Sequence, residues 1–177
     1  MNKRHLYQLV TSISYAAENR DAYTANHQRG VSSLSRRIAQ GLNLPKDQID
    51  SVRIAGTLHD IGKLGIPTAI LSKTGKLRKE EFDLIKLHSI IGEDILKDIQ
   101  FPWPIAAIVR QHHERLDGSG YPDRLKANNI LMEAKILAVA DVVESMTRSR
   151  SYRKALGLEI ALDELKKNIN CSNRDLI

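Results

Sequence analysis

The segment Leu58-His59-Asp60-Ile61-Gly62-Lys63 places an imidazole beside a carboxylate, with an ammonium group one helical turn later. Side chains of adjacent helical residues diverge by about 100°. His59 and Asp60 are therefore expected to serve two neighbouring metal ions rather than to chelate one ion together. The segment indicates a two-metal centre, and the alternative is a helix end with a solvated charge. Ligands elsewhere in the chain decide between the two.

The apolar residues on both sides of this segment recur at helical spacing, and no strand alternation extends beyond a few residues. The sequence therefore predicts an all-α fold. Gly41 is a candidate helix C-cap, and Pro45 is tolerated in a first helical turn. The segment 115–129, which contains Gly118-Ser119-Gly120-Tyr121-Pro122, is predicted as a long loop. The predicted helices cover residues 6–18, 22–40, 45–61, 79–99 in one or two pieces, 105–114, 131–148 and 158–168.

The amino-acid composition excludes several classes of protein. Cys171 is the only cysteine, which excludes a disulfide framework and a cysteine-based zinc cluster and is typical of a reducing compartment. No run of about 18 apolar residues exists, so a cytoplasmic protein without membrane insertion is predicted. A net charge of +6 suits an anionic ligand or is simply a solvated basic surface. With 5% aromatic residues and no groove-reading motif, nucleic-acid binding is not expected.

Five of the six histidines fall on predicted apolar helix faces. His27, for example, shares a face with Val31 and Leu34, whereas His5 has no apolar context. A buried imidazole without a partner costs on the order of 1 to 3 kcal/mol, and a metal ion satisfies several at once. The alternative for any one of them is a satisfied core histidine. The candidate nitrogen ligands are His27, His59, His88, His112 and His113.

Carboxylates complete the candidate set. Asp141 is the only polar residue in the run 136–143, so burial requires a cation beside it, either a metal or an arginine from another helix. Five nitrogens with Asp60 and Asp141 exceed what one ion binds, whereas two ions that share a bridging carboxylate accommodate the set. Asp60 is the predicted bridge. Mixed nitrogen and oxygen donors without cysteine favour two iron or manganese ions, with zinc, cobalt and nickel as alternatives.

These residues resemble the HD-GYP branch of the HD superfamily of metal-dependent phosphohydrolases. The resemblance rests on His59-Asp60 with Lys63, on His112-His113-Glu114-Arg115 and on the Gly-Tyr-Pro loop, and it covers nearly the whole chain. It implies an HD-domain bundle of about seven helices, a binuclear or trinuclear metal site and hydrolysis of cyclic di-GMP. It also implies one domain over 1–177, with a linker-like helix over 1–19 and a catalytic core over 20–177. Homodimers and contacts with diguanylate cyclase (GGDEF) domains are further implications.

The resemblance assigns metal-ligand roles to six residues and leaves the role of His27 open. In relatives with a third metal, a glutamate stands four residues before the match to His27, and here that position is Tyr23. Two metals are therefore predicted, with His27 as a marginal ligand or a phosphate contact. Glu144 stands where aspartate is common in the family. The six assigned ligands are His59, Asp60, His88, His112, His113 and Asp141.

The predicted reaction is hydrolysis of cyclic di-GMP to pGpG, and to GMP after a second cut. Asp60 and Lys63 are the predicted catalytic residues. Lys63, Arg150 and Arg153 are predicted to bind phosphate, with surface cations as the alternative, and Tyr121 to border the substrate or to form a structural turn. Two other functions stay open. One is a degenerate sensor that binds a cyclic dinucleotide or a partner without hydrolysis, and the other is a phosphohydrolase of another nucleotide.

Overall fold

The computed structural model describes residues 3–18, 22–147 and 157–170, and within these ranges it contains helices and no strand. The all-α prediction is confirmed. Two short 3-10 helices, Ile61–Gly65 and Ala127–Asn129, interrupt the connections. None of the helices in the described part of the chain has the length and apolar composition to cross a bilayer. The α-helices are α1 (Lys3–Glu18), α2 (Ala22–Gly41), α3 (Lys46–Leu58), α4 (Thr68–Leu71), α5 (Lys79–Lys86), α6 (His88–Leu96), α7 (Ile105–Gln111), α8 (Met132–Thr147) and α9 (Leu158–Asn170).

Several helix ends differ from the prediction by one to three residues; α7, for example, ends at Gln111 rather than at residue 114. The helix predicted over 79–99 in one or two pieces is in two, which meet at Leu87, whose N–H bonds to the Leu84 carbonyl three residues back at 3.1 Å. The helix predicted to reach residue 61 ends at Leu58, and the Ile61–Gly65 3-10 helix follows it. His59 keeps helical backbone angles, but Asp60, with φ −95° and ψ 6°, departs from regular helix geometry, which changes where its side chain points relative to that of His59.

A buried core lies between α2, α3, α7 and α8. The N-terminal helix α1, predicted as linker-like, buries Leu6 and Val10 in this core. Helix α6 packs against the Ile61–Gly65 3-10 helix on one side and α7 on the other. The packing brings together five chain positions that carry candidate ligands, namely α2, the end of α3, the start of α6, the end of α7 and α8 at Asp141. Fully buried core residues include Val31, Ile54, Leu58, Ile108 and Leu137.

Gly62 allows the 3-10 helix to lie directly against the backbone of α6. A Cβ atom at this position would overlap the His88 carbonyl oxygen and lie 2.5 Å from the Gly92 nitrogen. Both neighbours are backbone atoms, so no side-chain rotation relieves the overlap. The absence of a side chain at Gly62 therefore holds Asp60, two residues earlier, close to His88.

Gly62→Ala is expected to lower the free energy of unfolding by about 1 to 3 kcal/mol, because the helix pair must separate to admit the methyl group. Urea unfolding of both proteins measures the difference. Gly75→Ala is the matched control, since a Cβ at Gly75 meets nothing within 4 Å. Its effect is expected to stay within about 0.5 kcal/mol. Equal unfolding midpoints for the two variants would contradict the role given to Gly62.

Candidate metal centre

Three of the buried histidines sit at helix ends and are oriented by their own backbone. The Nδ1 atoms of His59, His88 and His112 each lie within hydrogen-bond distance of the carbonyl three residues earlier. Because a carbonyl only accepts, each Nδ1 carries the hydrogen and each Nε2 keeps its lone pair. All three rings therefore present Nε2 to the interior of the cluster. The accepting carbonyls are those of Gly56 at 2.9 Å, Ile85 at 2.7 Å and Val109 at 2.5 Å.

The Nε2 atoms of His88 and His112 face each other at 3.3 Å. Each residue is only 1% exposed. Burial lowers the pKa of both rings, that of His112 to about 3, so neither Nε2 takes a proton near neutral pH. Two lone pairs that point at each other in the interior need a shared cation. The donor set therefore fits a metal ion, and His113 completes a group of three possible ligands within 4.8 Å of one another.

A second group consists of His27, His59 and Asp60, whose ligand atoms also lie within 4.8 Å of one another. His59 Nε2 is 3.5 Å from Asp60 Oδ2. The divergence expected for adjacent helical residues is absent, because α3 has ended and Asp60 has φ −95° and ψ 6°. His112 and His113 likewise belong to one group rather than to two. Each adjacent pair can thus serve a single ion, contrary to the expectation from helix geometry.

Asp60 lies between the two groups. Its Oδ2 faces His59 and accepts a hydrogen bond from Lys63 Nζ at 2.8 Å, whereas its Oδ1 is 3.8 Å from His88 Nε2. Burial opposes ionisation, but Lys63 and the surrounding imidazoles hold the pKa of the Asp60 carboxyl well below its usual range. The carboxylate is therefore ionised, with one oxygen directed at each group, which is the geometry that a bridging ligand requires.

His27 is held between two carboxylates of α8. Its Nε2 lies 3.0 Å from Asp141 Oδ1, and its Nδ1 bonds to Glu144. Burial lowers the pKa of His27, but the hydrogen bonds to Asp141 and Glu144 outweigh burial and raise it to about 9. Burial raises the pKa of Asp141, but the hydrogen bond from His27 and the interaction with His59 outweigh burial and lower that pKa. Asp141 also lies 4.0 Å from His59 Nε2, which ties it to the second group.

Glu144 belongs to the site although no site role was predicted for it. The residue is buried and orients His27 through Nδ1, as outer carboxylates commonly do for metal-binding histidines. It stands three residues after Asp141, so the sequence places both carboxylates on one face of α8. Gly30 makes room for it, because a Cβ at Gly30 would overlap Glu144 Oε1 and lie 2.8 Å from its Cγ.

Gly30→Ala is expected to displace the Glu144 carboxylate from His27 and to weaken metal binding at the second group by about 10- to 100-fold. Competition with a fluorescent chelator measures the metal affinity. Gly41→Ala, at the end of the same helix, is the control because a Cβ there meets nothing within 4 Å. Combining Gly30→Ala with Glu144→Asp shortens the acid by one methylene and is expected to restore part of the affinity. An unchanged affinity in Gly30→Ala would refute the packing argument.

The Gly-Tyr-Pro loop is fixed to the metal cluster by Glu114, which is 4% exposed. Its carboxylate accepts the backbone N–H of Asp123 at 2.7 Å and that of Leu125 at 2.9 Å. Within the loop, the Tyr121 N–H donates to the His113 carbonyl at 3.2 Å, and the two rings stack with centroids 4.7 Å apart. The predicted loop therefore places Tyr121 against one of the candidate ligands.

The structure brings the six predicted metal ligands and His27 into one cluster, with Lys63 bonded to Asp60 and Tyr121 at its edge. Arg150 and Arg153 lie outside the described residues, as does the side chain of Tyr23. Ring-centroid distances of 5.0 to 5.4 Å link the five imidazoles in the order His27, His59, His112, His88 and His113. The rings of His112 and His113 also lie 4.0 Å apart.

The chain as a whole matches a known protein family. A family model described as HD domain matches residues 11–171. The chain belongs to the HD domain family. The family predicted from the sequence is thereby confirmed. The fold of this HD domain also resembles the solved HD domain of the L. monocytogenes phosphodiesterase PgpH. That comparison has a TM-score of 0.67 at 20% identity over 88% of this chain and 83% of the other, and it shows the fold alone.

Curated relatives of this HD domain are named as phosphodiesterases. A cyclic di-GMP phosphodiesterase of Thermotoga maritima is 39% identical over 91% of this chain and 44% of its own length. The cyclic di-GMP phosphodiesterase response regulator RpfG of Xanthomonas campestris pv. campestris is 37% identical over 88% of this chain and 42% of its own length. A 3'3'-cGAMP-specific phosphodiesterase 3 of Vibrio cholerae is 32% identical over 96% of this chain and 37% of its own length. The chain thus spans less than half the length of these relatives.

Proposed function

We propose that this HD domain is a metal-dependent phosphodiesterase that hydrolyses cyclic di-GMP to pGpG, and to GMP after a second cut. The observation that carries the proposal is the pair of buried Nε2 lone pairs of His88 and His112, which face each other at 3.3 Å and require a cation. Two of the curated relatives are named as cyclic di-GMP phosphodiesterases, which supports the choice of substrate.

The residues present fit two divalent ions, for which we propose iron or manganese, with zinc, cobalt and nickel as alternatives. His88, His112 and His113 would hold one ion, and His27, His59 and Asp141 the other, with Asp60 shared. Bound there, the two ions would supply Lewis acidity, which favours deprotonation of an attacking water and offsets the negative charge of the phosphate. Glu144 fixes the His27 ring so that Nε2 faces the site.

The chain's own groups would bind and orient the substrate. Lys63 is positioned as a point charge for a non-bridging phosphate oxygen, because its Nζ reaches the inner end of the site at Asp60. Arg150 and Arg153 are proposed as further phosphate contacts from the family resemblance. Tyr121, stacked on His113, is proposed to contact a guanine of the substrate.

Incubation of the metal-loaded protein with cyclic di-GMP, followed by chromatography, tests the proposal. Protein loaded anaerobically with manganese or iron is expected to release pGpG under reducing conditions, whereas an Asp60→Ala variant sets the background. Turnover no greater than this background would refute the enzymatic activity. Calorimetry on the same sample identifies a degenerate sensor, which would bind the cyclic dinucleotide without converting it.

A hybrid cyclic dinucleotide is the second candidate substrate. It is favoured by the similarity to a 3'3'-cGAMP-specific phosphodiesterase of Vibrio cholerae. The ratio of kcat/KM for cyclic di-GMP to that for 3'3'-cGAMP decides between the two. A ratio above one supports the first substrate, and a ratio well below one replaces it with the second.

The remaining proposals rest on composition or on the family resemblance alone. They are a cytoplasmic location, a catalytic core over 20–177, homodimers, and contacts with diguanylate cyclase (GGDEF) domains. Gel filtration with light scattering tests the dimer directly.

A further inference from the structure

A cleft of about 330 Å³ lies between α2 and α3. Its described lining carries three guanidinium groups and three hydroxyl groups. Arginine side chains that share a concavity favour an anionic ligand. The lining residues are Arg29, Ser32, Ser33, Arg36, Arg53 and Thr57, and we call this surface the arginine cleft.

The arginine cleft is separate from the metal centre. With 100° per residue, Arg29 and Arg36 project about 160° and 180° away from His27 around the axis of α2. They lie seven residues apart on one face, so their backbone positions are separated by about 10 Å along the helix. Arg53 approaches from α3 on the facing side of the cleft. The three cations thus surround a space on the side of α2 opposite to His27.

The arginines have the geometry of a binding site. The Arg53 guanidinium lies 5.0 Å from the centroid of the Tyr7 ring, a contact that orients its planar fork. In the described ranges, neither Arg36 nor Arg53 pairs with a carboxylate. Arg110 provides a contrast, since Asp123 and Glu93 both bind its guanidinium. The charges of Arg36 and Arg53 are therefore available to a ligand.

The floor of the cleft is rigid. Ser32 Oγ donates to the Arg53 carbonyl at 2.7 Å, and Thr57 Oγ1 donates to Ser32 Oγ at 3.1 Å. These bonds join α2 to α3, so the spacing between the helix backbones that carry the arginines is set before a ligand arrives. They also use the hydroxyl hydrogens of Ser32 and Thr57, which leaves the guanidinium groups as the main donors to a ligand.

We propose that the arginine cleft binds a phosphate dianion, either free phosphate or the phosphomonoester of a small molecule. Guanidinium forks match the oxygens of a phosphate in bidentate pairs, and facing arginines suit a doubly charged group better than a singly charged diester. No aromatic residue is among the described lining residues, so the phosphate rather than a base is recognised. The site is independent of the proposed phosphodiesterase activity.

NMR of the arginine Nε–H groups during titration with inorganic phosphate tests the proposal. The zinc-loaded full chain is used at constant ionic strength, because zinc is diamagnetic. Saturable shifts are expected at Arg36 and Arg53. Arg36→Gln is expected to weaken the apparent affinity reported by Arg53 about tenfold, the loss of one charge-assisted contact. Arg37→Gln removes the same charge from the next, exposed residue and is expected to leave the affinity unchanged.

Non-saturating shifts, or equal weakening by Arg36→Gln and Arg37→Gln, would overturn the proposal. Asp60→Ala separates the cleft from the metal centre. The shifts at Arg36 and Arg53 are expected to persist in this variant, and their loss would assign phosphate binding to the metal centre instead. Failure of cyclic di-GMP hydrolysis in the wild-type chain would leave these titrations unaffected.

Discussion

Asp60→Asn is expected to lower the rate of cyclic di-GMP hydrolysis at least about a thousandfold and to reduce bound metal below two ions per chain. Asparagine has the same shape as aspartate but offers one neutral oxygen in place of an anionic pair. In the structure the two oxygens of Asp60 face different groups, Oδ2 towards His59 and Oδ1 towards His88. The substitution therefore affects both metal sites at once, unlike removal of a histidine from either group.

Metal analysis of anaerobically purified protein and steady-state assays measure the two effects. Asp94→Asn is the matched control, because the Asp94 side chain is 57% exposed and pairs with Lys97 on the surface. It is expected to retain full activity and metal content. An Asp60→Asn protein that keeps two ions and works within tenfold of the wild-type rate would rule out the bridging role.

The metal-free chain is expected to be most stable near pH 6.5 and to lose stability on the order of several kcal/mol by pH 5. Burial lowers the pKa of His88 and His113, and that of His112 to about 3. In the unfolded chain these rings take protons below about pH 6.5. The unfolded state thus binds more protons in acid, and stability falls as the pH drops from 6.5 towards 3.

His27 has the opposite effect at higher pH. Its pKa is raised to about 9, because the bonds to Asp141 and Glu144 outweigh burial. Its contribution to stability is complete below pH 6.5 and is lost as the pH rises through 9. Stability is thus lost both below and above pH 6.5, which places its maximum near that pH.

Urea unfolding of chelator-treated protein between pH 4 and 10 measures the free energy of unfolding on both sides of the maximum. His112→Asn is expected to reduce the loss of stability in acid, and His27→Asn is expected to reduce the loss in alkali. His5→Asn is the control, because His5 is exposed on α1. A stability that is constant between pH 6.5 and 5 would be incompatible with three buried neutral imidazoles.

The helices of this fold were predictable because apolar residues recur at helical spacing along most of the chain. Helix α4 was not, since its four residues are too few to show a period. The end of α3 at Leu58 was not predictable either. It depends on the approach of the 3-10 helix to α6 at Gly62, a contact between segments that are distant in sequence.

The candidate ligands were largely predictable, because a histidine on an apolar face or an aspartate in an apolar run needs a partner. Their grouping was not. It depends on local backbone angles at Asp60 that a regular helix does not have. Glu144 was predicted only as a departure from the family pattern, because it follows the apolar run 136–143 and, unlike Asp141, is not flanked by apolar residues on both sides. Its partner Gly30 lies on another helix, and no local pattern reveals a space that only packing creates.

The hydrogen bonds from His59, His88 and His112 to their own backbone have a consequence for ion discrimination. Each ring is fixed to the helix end that carries it, so Nε2 cannot follow an ion by side-chain rotation alone. An ion of unsuitable radius would have to displace α3, α6 or α7, which the core and the close contact at Gly62 resist. The spacing of these helices, and not only the chemistry of the donor atoms, sets which ion radius the site accepts.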